Sequence, residues 1–463
     1  MNKKYGLLTA IAMVVGIVIG SGIFFKVQNI LTITNGNVWL GILALIIGGI
    51  VMIICALTFS ILATKYTEIN GIVDYSSAVV NHKYGNLMAW FIATIYYPAM
   101  TSVLVWVTAR YTGQLFGWDL TSANVMTLGV FYLVVMLAIN AFAPLLAGKL
   151  QISTTIIKLI PLFLMGIVGI IYGLFKNASS YEVINGEVVK VGQNSLQILI
   201  ENFKNNNEFN FKSLLGALVA AAFAYEGWMV ATSISEELKS SKKNLPIALL
   251  VGTFIIMIVY ILYYLGVSGG ATVDVLIHGG ASYAFLNIFG DFFGTILNVF
   301  IVISCIGTLN GLMMASTRAF YTISKRDVNP RFELFKEVDV KTNMPMNSSL
   351  IGIILVGLWY VYFYGANLTA SWFGPFTFDS SELPIITMYG MYFPIFILMI
   401  VKERKNLGIL KGIVLPILSL VASGFMVFAA IYAHGMATLY YLIIYVLIMI
   451  LGLWLMKKKK TLN

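Results

Sequence analysis

Long apolar runs dominate this 463-residue chain and recur at short intervals along its whole length. Each run has about twenty residues, the length that an α-helix needs to cross the hydrocarbon of a bilayer. Only 10% of the residues are charged, whereas about a quarter are charged in an average soluble protein. A soluble fold of this size would lack the polar residues that cover its surface. The sequence therefore predicts an all-α polytopic membrane protein.

The hydropathy pattern predicts twelve transmembrane helices, which are called spans 1 to 12. Their predicted ranges are 6–29, 38–63, 84–113, 123–142, 151–175, 212–235, 244–268, 289–317, 348–364, 381–401, 409–432 and 437–456. Two connections are long. The segment 176–211 contains Asn185-Gly186 between apolar residues, which predicts a small hairpin. The mixed-charge segment 318–347 is expected to be partly helical, and the whole of 1–463 is expected to be one membrane domain.

The charges indicate how the chain is oriented. The formal net charge is +10, but no basic stripe of the kind that binds nucleic acid is visible. Lys and Arg instead collect in alternate connections and in the terminal Lys457–Lys460 run. The positive-inside rule then predicts a multi-pass protein of the cell membrane with both termini in the cytoplasm.

The sequence shows no set of residues for catalysis or metal binding. Cys55 and Cys305 lie inside apolar runs, and His82, His278 and His434 lie in or near connections without forming a cluster. No nucleophile–base pair and no nucleotide-binding loop is visible. We therefore expect no enzyme activity, no cofactor and no metal.

Two spans carry residues that interrupt a helix. Span 1 contains Gly20-Ser21-Gly22, and span 6 contains Glu226-Gly227. Each glycine weakens a helix by up to about 1 kcal/mol, and an acid in mid-membrane costs about 2.5 kcal/mol or more. Close packing through small residues is one interpretation. Because the interruptions fall in the first span of each of two five-span repeats, we favour discontinuous helices at a substrate site.

Such a site would recognise an amino acid through the backbone. Unwound N–H groups in span 1, backed by a helix N-terminus, would bind a carboxylate. Unwound carbonyls in span 6 would accept hydrogen bonds from an ammonium group. The predicted substrate-binding residues are Ile19, Gly20, Ser21, Gly22 and Ile23 in span 1 and Phe223, Ala224, Tyr225, Glu226 and Gly227 in span 6.

The same residues resemble a known family. Ile19-Gly20-Ser21-Gly22-Ile23-Phe24 is similar to the span 1 signature of the amino acid–polyamine–organocation (APC) superfamily. The stretch Phe223–Trp228, with Glu236-Glu237-Leu238 and Asn244-Leu245-Pro246 after it, resembles the L-type amino acid transporter family. The stretch 154–161 and Leu309-Asn310-Gly311 agree with this resemblance, which is greatest to bacterial serine/threonine and alanine/serine/cysteine exchangers and weakens after about residue 330.

The resemblance implies an architecture and a mode of action. It implies a LeuT-like five-plus-five inverted repeat, with repeat one at about 6–175, repeat two at about 212–401 and two extra helices at about 409–456. It also implies alternating access. Some relatives attach to a glycoprotein subunit through a cysteine between spans 3 and 4. The stretch 113–119 contains no cysteine, so we expect no disulfide-linked heavy subunit.

Lys158 and Tyr260 receive their expected roles from the resemblance. On the residues alone, a lysine in the apolar centre of span 5 must face a polar interior or lose its proton, unless it lies nearer the membrane edge than predicted. By resemblance, Lys158 reaches toward span 1 and takes the place of sodium in related sodium-coupled carriers. Tyr260 matches a family tyrosine that hydrogen-bonds the unwound part of span 6.

Several other roles stay open on the sequence. Glu226 is either a structural tether or a group that contacts substrate or a proton, and Phe24 and Trp228 are candidates for gating or for plain packing. Ser304 and Thr308 would face span 1 near Lys158, or bond their own helix.

Two charged sites are expected to be structural. We expect Arg110 to be an interfacial or loop-anchoring charge. At the outer end of span 10, a solvated helix start capped by Asp379 or Ser380 is expected around Glu382, with an external vestibule as the alternative.

The sequence as a whole predicts a sodium-independent exchanger of small neutral L-amino acids. A proton-coupled amino acid symporter, with Lys158 or Glu226 as the titrating group, is the alternative. A membrane sensor that binds an amino acid without moving it is a further alternative. The preferred amino acids are not defined by the sequence.

Overall fold

The computed structural model of the protein describes residues 6–66, 71–175, 178–195, 197–204, 209–231, 238–326, 330–369 and 372–456. In chain order its α-helices are α1 (Leu7–Val18), α2 (Gly22–Ile33), α3 (Val38–Lys65), α4 (Ile72–Val79), α5 (His82–Phe91), α6 (Tyr97–Leu115), α7 (Ala123–Phe142), α8 (Pro144–Ile157), α9 (Leu159–Leu164), α10 (Ile170–Phe175), α11 (Ile198–Lys204), α12 (Phe211–Tyr225), α13 (Trp228–Ala231), α14 (Ser241–Gly270), α15 (Val273–Gly279), α16 (Ala281–Arg326), α17 (Met346–Phe363), α18 (Leu383–Ile409), α19 (Leu415–His434) and α20 (Met436–Met456).

Shorter elements join or interrupt these helices. The two strands are β1 (Ala178–Ile184) and β2 (Glu187–Ser195). Turns of π-helix occur at Ile92–Tyr96, Met165–Gly169, Tyr364–Leu368 and Leu410–Val414, and turns of 3₁₀-helix at Pro330–Lys336 and Gly374–Phe376. The helical turn at Pro330–Lys336 confirms the prediction that the segment 318–347 is partly helical.

The helices are long and apolar, as a polytopic membrane protein requires. Among the described residues, eight helical stretches can cross a membrane by length and composition, and a ninth if α1 and α2 form one bent span. One of these stretches, Leu383–His434, covers predicted spans 10 and 11 together. The prediction of an all-helical polytopic fold is confirmed, whereas the count of twelve spans and the inverted repeat stay predictions.

Exposed apolar side chains form surfaces that are suited to contact with lipid. On α20, Val446, Ile450 and Trp454 are about half exposed, whereas Tyr441 and Met449 are buried. Helices satisfy their own backbone hydrogen bonds, so they tolerate an apolar surround that an open sheet or loop would not.

The chain divides into two compact units that each combine distant segments. Unit 1 contains Met1–Ile69, Thr155–Ser304 and Glu403–Ala433, and unit 2 contains Asn70–Thr154, Cys305–Lys402 and His434–Asn463. The expectation of a single domain built from two repeats stays a prediction.

The structure corrects the boundaries of two predicted spans. Span 5 was expected as one helix over 151–175, but the helix begins at Pro144 and is interrupted at Lys158 and again by a π-turn at Met165–Gly169. Span 8 was expected over 289–317, but α16 runs from Ala281 to Arg326 with a kink at Gly290, whose φ is +75°. Hydropathy detects only the apolar part of a helix, and a helix continues where its side chains become polar.

The predicted hairpin is confirmed. Strands β1 and β2 pair antiparallel, with Ile184 opposite Glu187. The turn residues Asn185 and Gly186 have φ values of +52° and +84°, which is the type I′ geometry that an Asn-Gly pair favours.

Asn202 on α11 holds the connection between α14 and α15, within unit 1. Its amide nitrogen donates to the carbonyls of Ser268 at 2.6 Å and Ala271 at 2.9 Å. Its amide oxygen accepts the backbone N–H of Val273 at 3.0 Å. The side chain is buried, so these bonds satisfy three backbone groups where a helix ends and the next begins.

Glycines bring two helices of unit 1 into backbone contact. Gly169 and Gly173, at the end of span 5, face Gly266 and Gly269 on α14. A Cβ atom on any of these four glycines would collide with backbone atoms of the opposite helix. This seam fixes the position of span 5 against span 7.

Each unit also has an ion pair in which the carboxylate is buried and the basic residue lies at the end of a helix. In unit 1, Lys65 pairs with Glu403, which also accepts the Tyr66 hydroxyl at 2.8 Å. In unit 2, Arg326 pairs with Asp74. Both pairs join segments that are far apart in the sequence.

We predict that Asn202→Ala destabilises the protein by about 2 kcal/mol or more, because three backbone groups lose a buried partner. Thermal unfolding in detergent should show a midpoint several degrees lower. Asn244→Ala is the control, since Asn244 makes one exposed bond, to the Lys239 carbonyl at 2.6 Å. Equal midpoints for the two variants would contradict the role assigned to Asn202.

Candidate functional site

Span 1 is broken in the middle. Helix α1 ends at Val18 and α2 begins at Gly22, with a bend of 53° between them. Ile19 has extended backbone angles, φ −64° and ψ 106°, and its N–H still bonds the Val15 carbonyl at 2.9 Å. The last carbonyls of α1 and the first N–H groups of α2 therefore lie outside a continuous helix, where other groups can bind them.

Span 6 is broken at the residues that the sequence indicated. Helix α12 ends at Tyr225, and Glu226 is extended with φ −66° and ψ 153°. Gly227 has φ +107°, a conformation that is strained for any residue except glycine. Glu226 and Gly227 are half-buried, whereas Tyr225 and Trp228 on either side are buried.

The two breaks meet backbone to backbone within unit 1. A Cβ atom on Gly22 would lie 3.0 Å from Cα of Ala224 and 3.3 Å from the carbonyl oxygen of Phe223. A Cβ atom on Gly227 would lie 3.5 Å from the carbonyl oxygen of Ile17. The glycines therefore allow spans 1 and 6 to touch at the points where both lose helical structure.

Tyr260 on α14 lies against both breaks. Its hydroxyl lies 3.0 Å from the Ala224 carbonyl and 3.2 Å from the Val18 carbonyl. A phenol has one proton to donate, so the two carbonyls share it. The Tyr260 ring packs on Tyr225 with centroids 5.2 Å apart, and Tyr225 donates to the Leu45 carbonyl on α3 at 2.8 Å.

Lys158 contacts the end of α1. It occupies the interruption between α8 and α9, and its side chain is buried with 6% exposure. Its Nζ donates to the Gly16 carbonyl at 2.6 Å. Gly16 is in the last turn of α1, where carbonyls lack helical partners and the helix dipole favours a cation. The ammonium group therefore satisfies the backbone that the break exposes.

The two aromatic gating candidates are enclosed by packing. Phe24 is fully buried and meets the edge of Tyr263, with centroids 5.2 Å apart. Trp228 is 1% exposed and packs against Phe59 at 5.7 Å. A gating role for either residue stays a prediction.

The other candidate residues are accounted for as follows. Ile19, Gly20, Ser21 and Ile23 are buried around the span 1 break. Ser304 is buried in unit 1, whereas Thr308 belongs to unit 2. Of the residues that carried the family resemblance, Glu236 and Glu237 lie outside the described residues.

Two expectations for charged residues were wrong. Arg110 was expected at an interface or loop, but it is buried in unit 2 with its guanidinium 5.2 Å from the Trp106 ring centroid. The start of span 10 was expected to be solvated, but Glu382 is 2% exposed and lies 3.2 Å from His434. Asp379 accepts the N–H groups of Ser381 and Glu382 in the turn before α18, which begins at Leu383, so the capping part of that expectation stays a prediction.

One charged residue of this region was missed by the sequence analysis. Lys26 on α2 is fully buried, and its Nζ lies 5.1 Å from the ring centroids of both Phe25 and Phe223. A lysine four residues beyond a helix break, in an apolar stretch, is a signal that could have identified it.

Sequence comparisons find relatives that are amino acid transporters. The serine/threonine exchanger SteT of Bacillus subtilis (strain 168) is 27% identical over 349 residues, which cover 74% of this chain and 73% of the relative. The human cystine/glutamate transporter is 21% identical, covering 76% of this chain and 66% of the relative. The mouse Asc-type amino acid transporter 1 is 23% identical, with coverages of 72% and 60%.

The chain thus spans less than two thirds of the length of these two mammalian relatives and about three quarters of the bacterial one. The profile of the amino acid permease family matches residues 5–454. With that match over nearly its whole length, the chain belongs to the amino acid permease family of the APC superfamily, whose members are membrane transporters of amino acids and not enzymes.

Proposed function

We propose that this amino acid transporter is a sodium-independent exchanger of small neutral L-amino acids that works by alternating access. The observation that carries the proposal is the geometry around the breaks of spans 1 and 6. Lys158 bonds the end of α1, and Tyr260 bonds carbonyls of both spans. These bonds hold the ends of the two broken helices in place, and we propose that the remaining backbone groups at the breaks bind the substrate.

The two breaks offer complementary groups to an α-amino acid. The first N–H groups of α2, beginning at Gly22, form the positive end of a helix and suit a carboxylate. The last carbonyls of α12 form a negative end, which suits an ammonium group. Because both groups belong to the backbone, recognition of the amino acid is independent of its side chain.

Lys158 supports sodium independence. In the resemblance that the sequence carries, a lysine at this position supplies the positive charge that a bound sodium ion supplies in related carriers. The ammonium group of Lys158 lies 2.6 Å from the Gly16 carbonyl oxygen, a distance typical of a charge-assisted hydrogen bond.

Proton-coupled symport is the second candidate function. Lys158 is a buried amine and Glu226 a half-buried acid, and both lie at the breaks. Either group could carry a proton through the transport cycle. A membrane sensor without flux is the third candidate, and it is less consistent with the transporter family.

The proposal includes the membrane topology and the partners, and the sequence pattern supports both. We place the protein in the cell membrane with both termini in the cytoplasm, because Lys and Arg collect in alternate connections. We expect no disulfide-linked heavy subunit, since the stretch 113–119 lacks cysteine.

Exchange predicts trans-stimulation. Proteoliposomes loaded with unlabelled alanine or serine should take up labelled substrate faster than empty ones, with or without sodium. Equal uptake by loaded and empty vesicles would contradict exchange. Uptake into empty vesicles driven by an imposed pH gradient would instead favour the symporter.

Tyr260→Phe should reduce the exchange rate by about tenfold, because it removes one hydroxyl that two buried carbonyls share. Tyr264→Phe is a matched control on the same helix. Its hydroxyl is also buried and has no hydrogen-bond partner among the described residues. Similar rates for the two variants would show that the Tyr260 bonds are dispensable.

Lys158→Ala should reduce the exchange rate by about tenfold or more, because the Gly16 carbonyl loses a charged partner. Lys149→Ala is the control, since Lys149 is exposed nine positions earlier. Folding of each variant is checked by size-exclusion chromatography. Wild-type flux in folded Lys158→Ala would overturn the role of this residue.

A further inference from the structure

The chain folds back on itself where α18 passes into α19, in a segment called the α18–α19 turn (residues 404–412). Helix α18 is kinked at Gly408, whose φ is +72°, and α19 begins at Leu415. A Cβ atom on Gly412 would lie 2.7 Å from Cα of Arg404, so the two arms of the turn are in backbone contact. Because the helices on either side correspond to predicted spans 10 and 11, the turn lies at a surface of the membrane.

Both arms of this turn carry exposed basic side chains. Arg404 and Lys405 lie before Gly408, and Lys411 lies after it. All three side chains are exposed, and none has an ion-pair partner among the residues that the structure describes. The contact between Gly412 and Arg404 brings the backbone that carries Lys411 against the backbone that carries the other two charges.

The acidic residue of this part of the sequence is already paired. Residues 383–433 contain four basic residues and one acidic residue, Glu403, and residues 404–463 contain no Asp or Glu. The Glu403 carboxylate is buried, pairs with Lys65 and accepts the Tyr66 hydroxyl at 2.8 Å. The positive charge of the α18–α19 turn is therefore not balanced within this stretch of the chain.

Two large apolar side chains are exposed between the charges. Ile409 is 73% exposed and Leu410 is 64% exposed. A basic surface with exposed apolar residues suits the boundary of a bilayer, where phosphate groups lie next to acyl chains. Inorganic phosphate would contact the basic residues and leave Ile409 and Leu410 in water, whereas an anionic phospholipid offers a partner to both kinds of side chain.

We propose that Arg404, Lys405 and Lys411 bind the headgroup of an anionic phospholipid, with Ile409 and Leu410 among its acyl chains. The topology proposed above places the α18–α19 turn at the cytoplasmic surface, where anionic lipids carry the negative surface potential. A guanidinium group binds a phosphate through two hydrogen bonds, and each lysine adds a point charge. The site is independent of which amino acid the protein transports.

The test measures the lipid preference of the purified full-length protein. The protein is delipidated in detergent and incubated with equal amounts of dioleoyl phosphatidylglycerol and dioleoyl phosphatidylcholine, which share their acyl chains and differ in net charge. Native mass spectrometry counts the bound molecules of each lipid. The wild type should retain phosphatidylglycerol over phosphatidylcholine by about tenfold or more, because each Lys or Arg near a negative surface strengthens binding by about fivefold.

A triple variant removes the three charges of the α18–α19 turn, as Arg404→Gln, Lys405→Gln and Lys411→Gln. It should reduce the ratio of retained phosphatidylglycerol to phosphatidylcholine by about fivefold or more. Leu410→Gln keeps every charge and should reduce the retention of both lipids by about twofold or more, because it removes an apolar contact with the acyl chains.

A charge-matched triple variant is the control, as Lys83→Gln, Lys149→Gln and Lys242→Gln. These lysines are exposed on three separate helices and lie in connections that are predicted to be cytoplasmic. The control loses the same net charge without changing the α18–α19 turn, so it should keep at least about half of the wild-type ratio.

Four results would overturn the proposal. They are a wild-type ratio near one, an equal loss of preference in the two triple variants, an unchanged ratio in the turn variant, and displacement of phosphatidylglycerol by an equal concentration of inorganic phosphate. The last result would identify a site for phosphate and not for a lipid. If the turn variant fails to fold, Lys411→Gln replaces it, and an unchanged ratio in that variant would count against the site in the same way.

Discussion

A helix that ends inside a membrane leaves its last carbonyl groups without hydrogen-bond partners. Here Lys158 donates a hydrogen bond to one of these groups, the Gly16 carbonyl. Its donor is a buried ammonium group, and its acceptor lies in the last turn of α1. Removing the lysine would leave an unsatisfied helix end in an apolar surround, and removing the break would leave a buried charge without its acceptor. The buried lysine and the helix break therefore stabilise each other.

The rest of the site also depends on contacts made by backbone groups at the two breaks. Gly22 allows span 1 to touch the span 6 backbone, and Tyr260 shares its hydroxyl between the carbonyls of Val18 and Ala224. These contacts involve backbone atoms on at least one side. A site built in this way keeps its shape when side chains around it vary, which is consistent with a family whose relatives are named for different amino acids.

The sequence was informative where a residue is unusual for the middle of a membrane-spanning helix. A glutamate in mid-span and paired glycines indicated the breaks, and a lysine in mid-span indicated a polar interior, whereas its contact with span 1 was implied by the family resemblance. It was less informative where burial depends on distant segments. Glu382 is buried by its contact with His434, which is 52 residues away. Arg110 lies near the end of predicted span 3, yet α6 continues to Leu115 and the guanidinium is buried near the Trp106 ring. Lys26 lies three residues before the predicted end of span 1 at residue 29, where a lysine can reach the membrane surface, whereas α2 extends to Ile33 and Lys26 is buried.

The glycine seam between span 5 and span 7 has a consequence for how the two tethers behave. Span 5 carries Lys158 and span 7 carries Tyr260, and Gly169 and Gly266 meet with no side chain between them. The ammonium group and the phenol therefore belong to two helical segments in backbone contact, with the π-turn at Met165–Gly169 between this contact and Lys158. A larger side chain at one of these glycines would force the two backbones apart. Such a substitution would shift the segments that carry Lys158 and Tyr260 although neither residue is changed.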